Sequence, residues 1–83
     1  AYTILNGEYE VIEAEIIETS ELINKELKDS NLPNEIRIGA ILREDKVIIP
    51  RSNFIFKKND SVVLLAKKDQ LQTVESMFRL TSV

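Results

Sequence analysis

The chain has 83 residues, of which 43% are hydrophobic and 30% charged, and its net charge is −3, values typical of one small globular domain. It contains neither Cys nor His, which excludes disulfides, thiolate or imidazole metal sites, Cys nucleophiles and His-based catalytic triads. An acidic balance without a basic patch also argues against nucleic acid as a partner.

The first thirty residues predict a strand followed by a short helix. Residues 1–9 are expected to be a lead-in segment. Apolar and acidic residues then alternate over residues 10–18, which is the period of a half-buried strand, so Glu13 and Glu15 should share one face. A Thr-Ser pair at residues 19–20 is a typical helix N-cap, and the short apolar stripe behind it predicts one or two helical turns.

The middle of the sequence predicts a hairpin. Residues 36–43 read as a strand whose one face carries Ile36, Ile38, Ala40 and Leu42, and whose other face carries Arg37, Gly39, Ile41 and Arg43. Glu44 and Asp45 link it to a second strand at residues 46–49. Pro50 ends that strand or places it at a sheet edge, because proline donates no hydrogen bond to a ladder.

The last third predicts two more strands and a helix. Residues 53–56 suggest a short strand. Residues 61–66 (SVVLLA) are apolar on both faces and are therefore expected to be the central strand. Asp69 is expected to cap a final helix that runs through Arg79, with apolar residues at helical spacing.

The order of elements is strand, short helix, three or four strands, helix. It predicts an α+β fold with two layers, a mostly antiparallel sheet and two helices on one face. The domain is expected to span residues 10–80, with residues 81–83 as a tail.

The second face of this sheet is also apolar, which suggests a partner. Two helices can cover only one face, and an apolar second face on so small a domain is most simply covered by a second copy. A homodimer is therefore expected. The alternative is that loops or long charged side chains shield these residues. The interface candidates are Val11, Ile17, Ile41 and Ile48, together with one face of the SVVLLA strand.

The sequence contains no recognisable catalytic or metal-binding constellation, and we expect no enzyme. Glu13 and Glu15 lie about 7 Å apart on a strand, but the simpler interpretation is an exposed polar face. The anion-binding candidates are Arg37, Arg43 and Arg51, together with Asn53, and Arg51 follows Pro50 and precedes Asn53 in a loop. The alternative is that the three arginines are solvated and pair with the many Glu residues.

Five segments in order give the chain a family resemblance. The sequence resembles the TrkA C-terminal domain, also called the RCK C-terminal domain, over roughly residues 7–79, and the lead-in GEYEVIEA adds to the likeness. Where that family often has Gly, this chain has Asn24, Asp45 and Asn59, all residue types that tolerate a left-handed backbone. The segments that carry the resemblance are 32–33 (LP), 38–43 (IGAILR), 47–51 (VIIPR), 59–63 (NDSVV) and 74–78 (VESMF).

The resemblance implies a function that the residues alone do not. It implies a regulatory, ligand-sensing and dimerisation domain of a bacterial potassium transport protein, cytoplasmic and held at the inner membrane through a transporter subunit. Some relatives bind cyclic di-adenosine monophosphate between two such domains. NAD or ATP is expected only on an N-terminal Rossmann domain outside this sequence, with no cofactor here. The alternatives are a pure dimerisation domain and a small-molecule-binding dimeric α+β module of another pathway.

Overall fold

A computed structural model describes residues 2–81, which form a six-stranded antiparallel sheet with a short helix packed against it. The α+β prediction with an antiparallel sheet is confirmed. The strands are β1 (Tyr2–Ile4), β2 (Tyr9–Ile16), β3 (Ile36–Arg43), β4 (Lys46–Ile48), β5 (Ser61–Lys67) and β6 (Phe78–Leu80). The helix α1 is Leu71–Met77, and single 3₁₀ turns form at Leu5–Gly7, Leu27–Asp29 and Lys68–Gln70.

The strand order is β1-β2-β5-β3-β4, with β6 pairing the end of β2. The prediction that SVVLLA is the central strand is confirmed, since β5 pairs with β2 on one side and β3 on the other. Val62, Leu64 and Ala66 are buried on one face of β5, while Val63 and Leu65 are half-buried on the other. A strand that contacts apolar neighbours on both faces needs this unbroken apolar run.

One core lies on the helix side of the sheet. Phe56, Phe78 and Leu22 are its largest fully buried side chains, together with Val74 of α1. Burying each large apolar side chain stabilises the fold by about 2 kcal/mol. The core cluster also includes Ile12, Ala14, Ile16, Ile36, Ile41, Val62, Leu64 and Ala66.

The short helix predicted after residues 19–20 is reduced to turns, so two helices on this face are not confirmed in the described residues. Ser20 Oγ accepts from Leu22 N at 3.2 Å, as an N-cap residue would, and the one helical turn that follows is the 3₁₀ turn at Leu27–Asp29. Asn24 has a φ of 68°, which ends any right-handed helix there. The chain then runs beside residues 52–56 instead. Asn24 N donates to Phe56 O at 2.8 Å, and Leu27 N donates to Phe54 O at 2.7 Å. The strand predicted at residues 53–56 is correspondingly reduced to a single bridge between Glu26 and Ile55.

The two ends of the domain also differ from prediction. The lead-in contains β1, which pairs with β2. Asp69 does not cap α1, because it lies in the preceding 3₁₀ turn and Gln70 occupies the N-cap position without a side-chain bond. The helix ends at Met77 rather than Arg79, since Phe78–Leu80 pair with β2 as β6. Of the predicted tail, Thr81 bonds Glu13 O through both its N–H and its hydroxyl; residues 82–83 lie outside the described residues.

A β-bulge in β3 changes which residues face the core. The pairing of β3 with β5 shifts by one residue between Ile38 and Ala40, and a shift of one residue moves the following side chains to the opposite face. Ile41 is therefore fully buried. Ile48, paired with Ile41, packs against the core as well. The prediction that Ile41 and Ile48 lie on the second face is wrong.

Candidate functional site

The most extensive candidate site is the sheet face opposite α1, which we call the outer face. Strand register places Val11 beside Leu65, and Val63 beside Ala40. These side chains are half-buried in the single chain, and they are not among the apolar residues that pack against the core. Leu42 and Val47 extend the outer face towards β4, and Val47 is 67% exposed.

Charged side chains border this apolar surface. Glu13 and Glu15 share the outer face, as predicted from their spacing, because their cross-strand partners Val63 and Ser61 alternate with the buried residues of β5. Glu15 Oε1 accepts a hydrogen bond from Arg79 Nη2 at 3.0 Å. An apolar centre with a polar border is the usual composition of a protein–protein interface.

The predicted interface residues divide into two groups. Val11 lies on the outer face, and Ile17 is half-buried just beyond the end of β2, where its N–H donates to Met77 O at 3.4 Å. Ile41 and Ile48 lie on the core face. Alternation in the sequence placed Ala40 and Leu42 on the core face, whereas the bulge places them on the outer face. The signal that could have indicated the bulge is the isolated Gly39 inside the strand.

Arg43 is held in a fork by a buried carboxylate. Its Nε donates to Asp60 Oδ1 at 2.7 Å and its Nη2 to Asp60 Oδ2 at 2.6 Å and to Ile55 O at 3.0 Å. Its guanidinium also lies 4.9 Å from the centre of the Phe54 ring. These bonds use three of the five N–H donors of the arginine. Arg43 therefore has a structural role, and only the N–H donors of one nitrogen remain available to a ligand.

Two more of the anion-binding candidates lie on an exposed turn. Arg51, Ser52 and Asn53 are exposed, and Phe54 N donates to Arg51 O at 3.0 Å to close the turn. Phe54 connects this turn to Arg43 through the ring contact described above. Arg43 lines a cavity of about 430 Å³ with Lys57, Lys58 and their neighbours, and Arg51 and Asn53 are not among its lining residues. The structure therefore brings Arg43, Arg51 and Asn53 to one region without forming a shared pocket, whereas Arg37 is exposed on the outer face beside Leu65.

Metal-binding clusters and membrane-spanning helices are both absent from the described part of the chain. Within residues 2–81, no set of three or more acidic side chains converges to hold a metal ion. Over the same residues, the helices are too short and too polar to cross a membrane.

Comparison with known families identifies the domain. The sequence model of the TrkA-C domain matches residues 11–79. The chain belongs to the TrkA-C domain family. Its match covers all of β2 except the first two residues, all of β3 to β5 and the whole of α1.

Curated relatives and a solved structure agree with this TrkA-C assignment. The chain is 39% identical over 80 residues to the Trk system potassium uptake protein TrkA of Azorhizobium caulinodans. It is 34% identical over 64 residues to a TrkA homolog of Archaeoglobus fulgidus. These matches cover 96% and 77% of this chain but only 18% and 15% of the relatives. A solved structure described as an RCK domain with cda matches 82% of this chain and 99% of its own, with a TM-score of 0.63 and 18% identity, which shows a shared fold.

Proposed function

We propose that this TrkA-C domain is a regulatory module of a potassium uptake system that dimerises through its outer face and senses a small anionic ligand. The observation that carries the proposal is the apolar outer face, which runs across β2, β5, β3 and β4 and is only half-buried in the single chain. Removing such a surface from water is the main favourable contribution to association.

The transport context comes from the relatives. The relatives named above are Trk system potassium uptake proteins, and the chain spans less than a fifth of their length. A domain of this size would act through larger partners, so we propose a membrane potassium transporter subunit as the partner, with the domain on the cytoplasmic side. NAD or ATP, on the same proposal, is bound by a Rossmann domain elsewhere in the complete protein.

The proposed ligand is a cyclic dinucleotide or a similar small anion. Support comes from the exposed Arg51 and Asn53 on their turn and from the remaining donors of Arg43 nearby. Because these groups do not share a pocket in one chain, we propose that the binding cleft is completed by a second copy. The competing hypothesis, a dimerisation domain without a ligand, makes the same prediction for the outer face and differs only in ligand binding.

The dimer is tested by Leu65→Glu. Leu65 lies at the centre of the outer face, between Val11 and Arg37 on the neighbouring strands. Arg37 can pair with the new carboxylate across the strands, so the monomer is expected to remain folded. A carboxylate buried in a dimer interface has to be desolvated, which opposes association. We expect the unsubstituted chain to be a dimer by light scattering at high micromolar concentration and Leu65→Glu to be a monomer.

The matched control is Ile55→Glu, which adds the same charge at an apolar residue that is 40% exposed outside the outer face. It should leave the molecular mass unchanged. A monomeric unsubstituted chain, or equal dimerisation of Leu65→Glu and the unsubstituted chain, would exclude the outer face as the interface.

A further inference from the structure

A small cavity lies between α1 and the sheet, on the side away from the outer face. Its volume is about 130 Å³, which is the share of about four water molecules and below the range of ordinary ligand pockets. Ile12 of β2, Leu71 of α1 and Leu80 of β6 form its apolar walls. A cavity of this size and composition fits one long side chain better than a whole small molecule.

The apolar walls are incompletely covered because α1 is short. Leu80 pairs with the fully buried Ala14, so it lies on the core side of the sheet, yet it is 40% exposed. α1 has seven residues and buries Val74, while Leu71 in its first turn stays half-buried. The cavity therefore presents apolar surface to solvent, and covering that surface would stabilise a bound group.

The carboxylates of Glu10 and Glu75 border the cavity. Glu10 pairs with the buried Ala66 of β5, which places it on the same side of the sheet as Ile12. Glu75 lies on α1, one turn after Leu71. Within residues 2–81, neither carboxylate takes part in an ion pair. Both are therefore available to a cation from outside the domain.

The lining favours an organic cation over a metal ion. Glu13 also lines the cavity, but its side chain shares the outer face and its main-chain O accepts from Thr81. A calcium ion takes about six to eight oxygen ligands, and no set of three acidic side chains converges anywhere in residues 2–81. A lysine side chain needs only apolar walls for its methylenes and carboxylates for its ammonium group.

We propose that this cavity binds a lysine side chain presented by a basic segment of a partner protein. The methylenes would pack between α1 and β6, and the ammonium group would pair with Glu10 and Glu75. Charge complementarity argues for this occupant, because the charged residues that line the cavity are all acidic and the chain has a net charge of −3. The lysine site lies on the other side of the sheet from the outer face, so it goes beyond the proposed dimer and dinucleotide and does not rest on them.

The test compares two blocked pentapeptides, Gly-Ser-Lys-Ser-Gly and the same peptide with norleucine in place of lysine. Norleucine keeps the apolar stem and lacks the ammonium group. The methyl signals of Ile12, Leu71 and Leu80 in NMR spectra report occupancy of the cavity. We expect the lysine peptide to shift these signals in a saturable way at millimolar concentration, and the norleucine peptide to bind about fivefold more weakly, as the loss of a partly exposed ion pair implies.

Variants separate the charge of the cavity from its apolar walls. Glu10→Gln/Glu75→Gln keeps the shape of the lining and should weaken the lysine peptide by about fivefold while leaving the norleucine peptide unchanged. Leu80→Ser removes an apolar wall and should weaken both peptides by the same factor. The matched control is Glu21→Gln/Glu35→Gln, which makes the same change in net charge at exposed residues outside the cavity. It should change the affinity by less than about twofold.

Five results would overturn the lysine site. Two of them are methyl signals that the lysine peptide does not shift and equal affinity for the two peptides, since the latter would indicate apolar contact alone. Equal weakening in the cavity and control double variants would indicate a general charge effect. Displacement of the lysine peptide by millimolar calcium chloride would indicate a metal site. Shifts of the same signals with increasing protein concentration, without peptide, would assign the cavity to a second copy.

Discussion

The Asp60 carboxylate is buried in the protein interior, and Arg43 compensates its charge. The Asp60 side chain is 1% exposed, and a buried carboxylate is costly unless it is paired and hydrogen-bonded. Both of its oxygens accept from Arg43, and Oδ2 also accepts from Lys57 N at 2.8 Å. Asp60 O in turn accepts from Ile16 N at 3.0 Å. One aspartate therefore connects β2, β3 and the turn before β5.

This pair is insensitive to alkaline pH. The hydrogen bond to Asp60 raises the pKa of Arg43 above its ordinary value, and this effect exceeds the lowering by burial. A cation whose pKa is raised on folding stabilises the fold at every pH below its pKa in the unfolded chain, and the contribution is lost only as the pH rises through the folded pKa. Because arginine already titrates far above neutrality, the Arg43 contribution stays constant across the usual working range of pH.

Arg43→Met is predicted to destabilise the domain by about 3 kcal/mol, because it leaves the Asp60 carboxylate buried with only a backbone donor. Methionine retains an apolar side chain for the contact with Phe54, so the change removes the charge and the hydrogen bond to Ile55 O but keeps the packing. Urea unfolding followed by circular dichroism measures the loss.

The control for that prediction is Arg79→Met, which removes the exposed arginine that pairs with Glu15. An exposed ion pair contributes at most about 1 kcal/mol, so the change in unfolding free energy should be small. Equal losses of unfolding free energy in the two variants would show that the Arg43–Asp60 pair stabilises the domain no more than an exposed ion pair does.

The turns show how local chemistry determines an element. Asn24, Asp45 and Asn59 have φ values of 68°, 64° and 71°, as expected for residue types that tolerate a left-handed backbone. Glu44 and Asp45 both have positive φ, the requirement of the tight two-residue hairpin turn. The sequence predicts such turns well, since the preference belongs to single residues.

Asp45→Val is predicted to destabilise the domain by about 1–2 kcal/mol, because a β-branched side chain at positive φ is strained. Asp45→Gly should be neutral or stabilising, since glycine adopts this conformation without steric cost. Both are measured by urea unfolding. Lys46→Val, one residue later in β4 and equally exposed, is the control and should change the unfolding free energy by less than about 0.5 kcal/mol. Equal effects of valine at positions 45 and 46 would contradict the backbone argument.

The elements that sequence patterns missed depend on distant contacts. The β3 bulge is one example. The isolated Gly39 within the strand is a signal for a bulge, but a Cβ there would lie 3.5 Å from Val63 O, an ordinary contact, so the glycine is not sterically required and the register shift is set by pairing with β5. Residues 24–28 are another, because their backbone bonds go to residues 52–56. Alternation therefore predicted β2, β3 and β5 but assigned the second half of β3 to the wrong faces, and with it Ile41 and Leu42.

At the scale of the whole molecule, the two proposed activities are coupled by geometry. If the ligand cleft is completed by a second copy, then ligand binding and dimerisation must strengthen each other by the same factor. A ligand shifts an assembly only by binding one state better than the other. Dimerisation through the outer face and anion binding near Arg51 can therefore be tested as one equilibrium.

Cyclic di-adenosine monophosphate is predicted to bind the unsubstituted chain and to bind the monomeric Leu65→Glu variant at least about tenfold more weakly, measured by titration calorimetry. The double variant Arg51→Ala/Asn53→Ala should lose binding and remain a dimer by light scattering, since both side chains are exposed and lie outside the outer face. Lys68→Ala, at an exposed residue of the 3₁₀ turn before α1, is the control and should bind as the unsubstituted chain does. Unchanged affinity in the double variant would remove the Arg51 turn as the site. Unchanged affinity in Leu65→Glu would show that a single copy binds the ligand. Weaker binding in both Leu65→Glu and the double variant, but not in the control, would support a ligand site that forms only in the dimer.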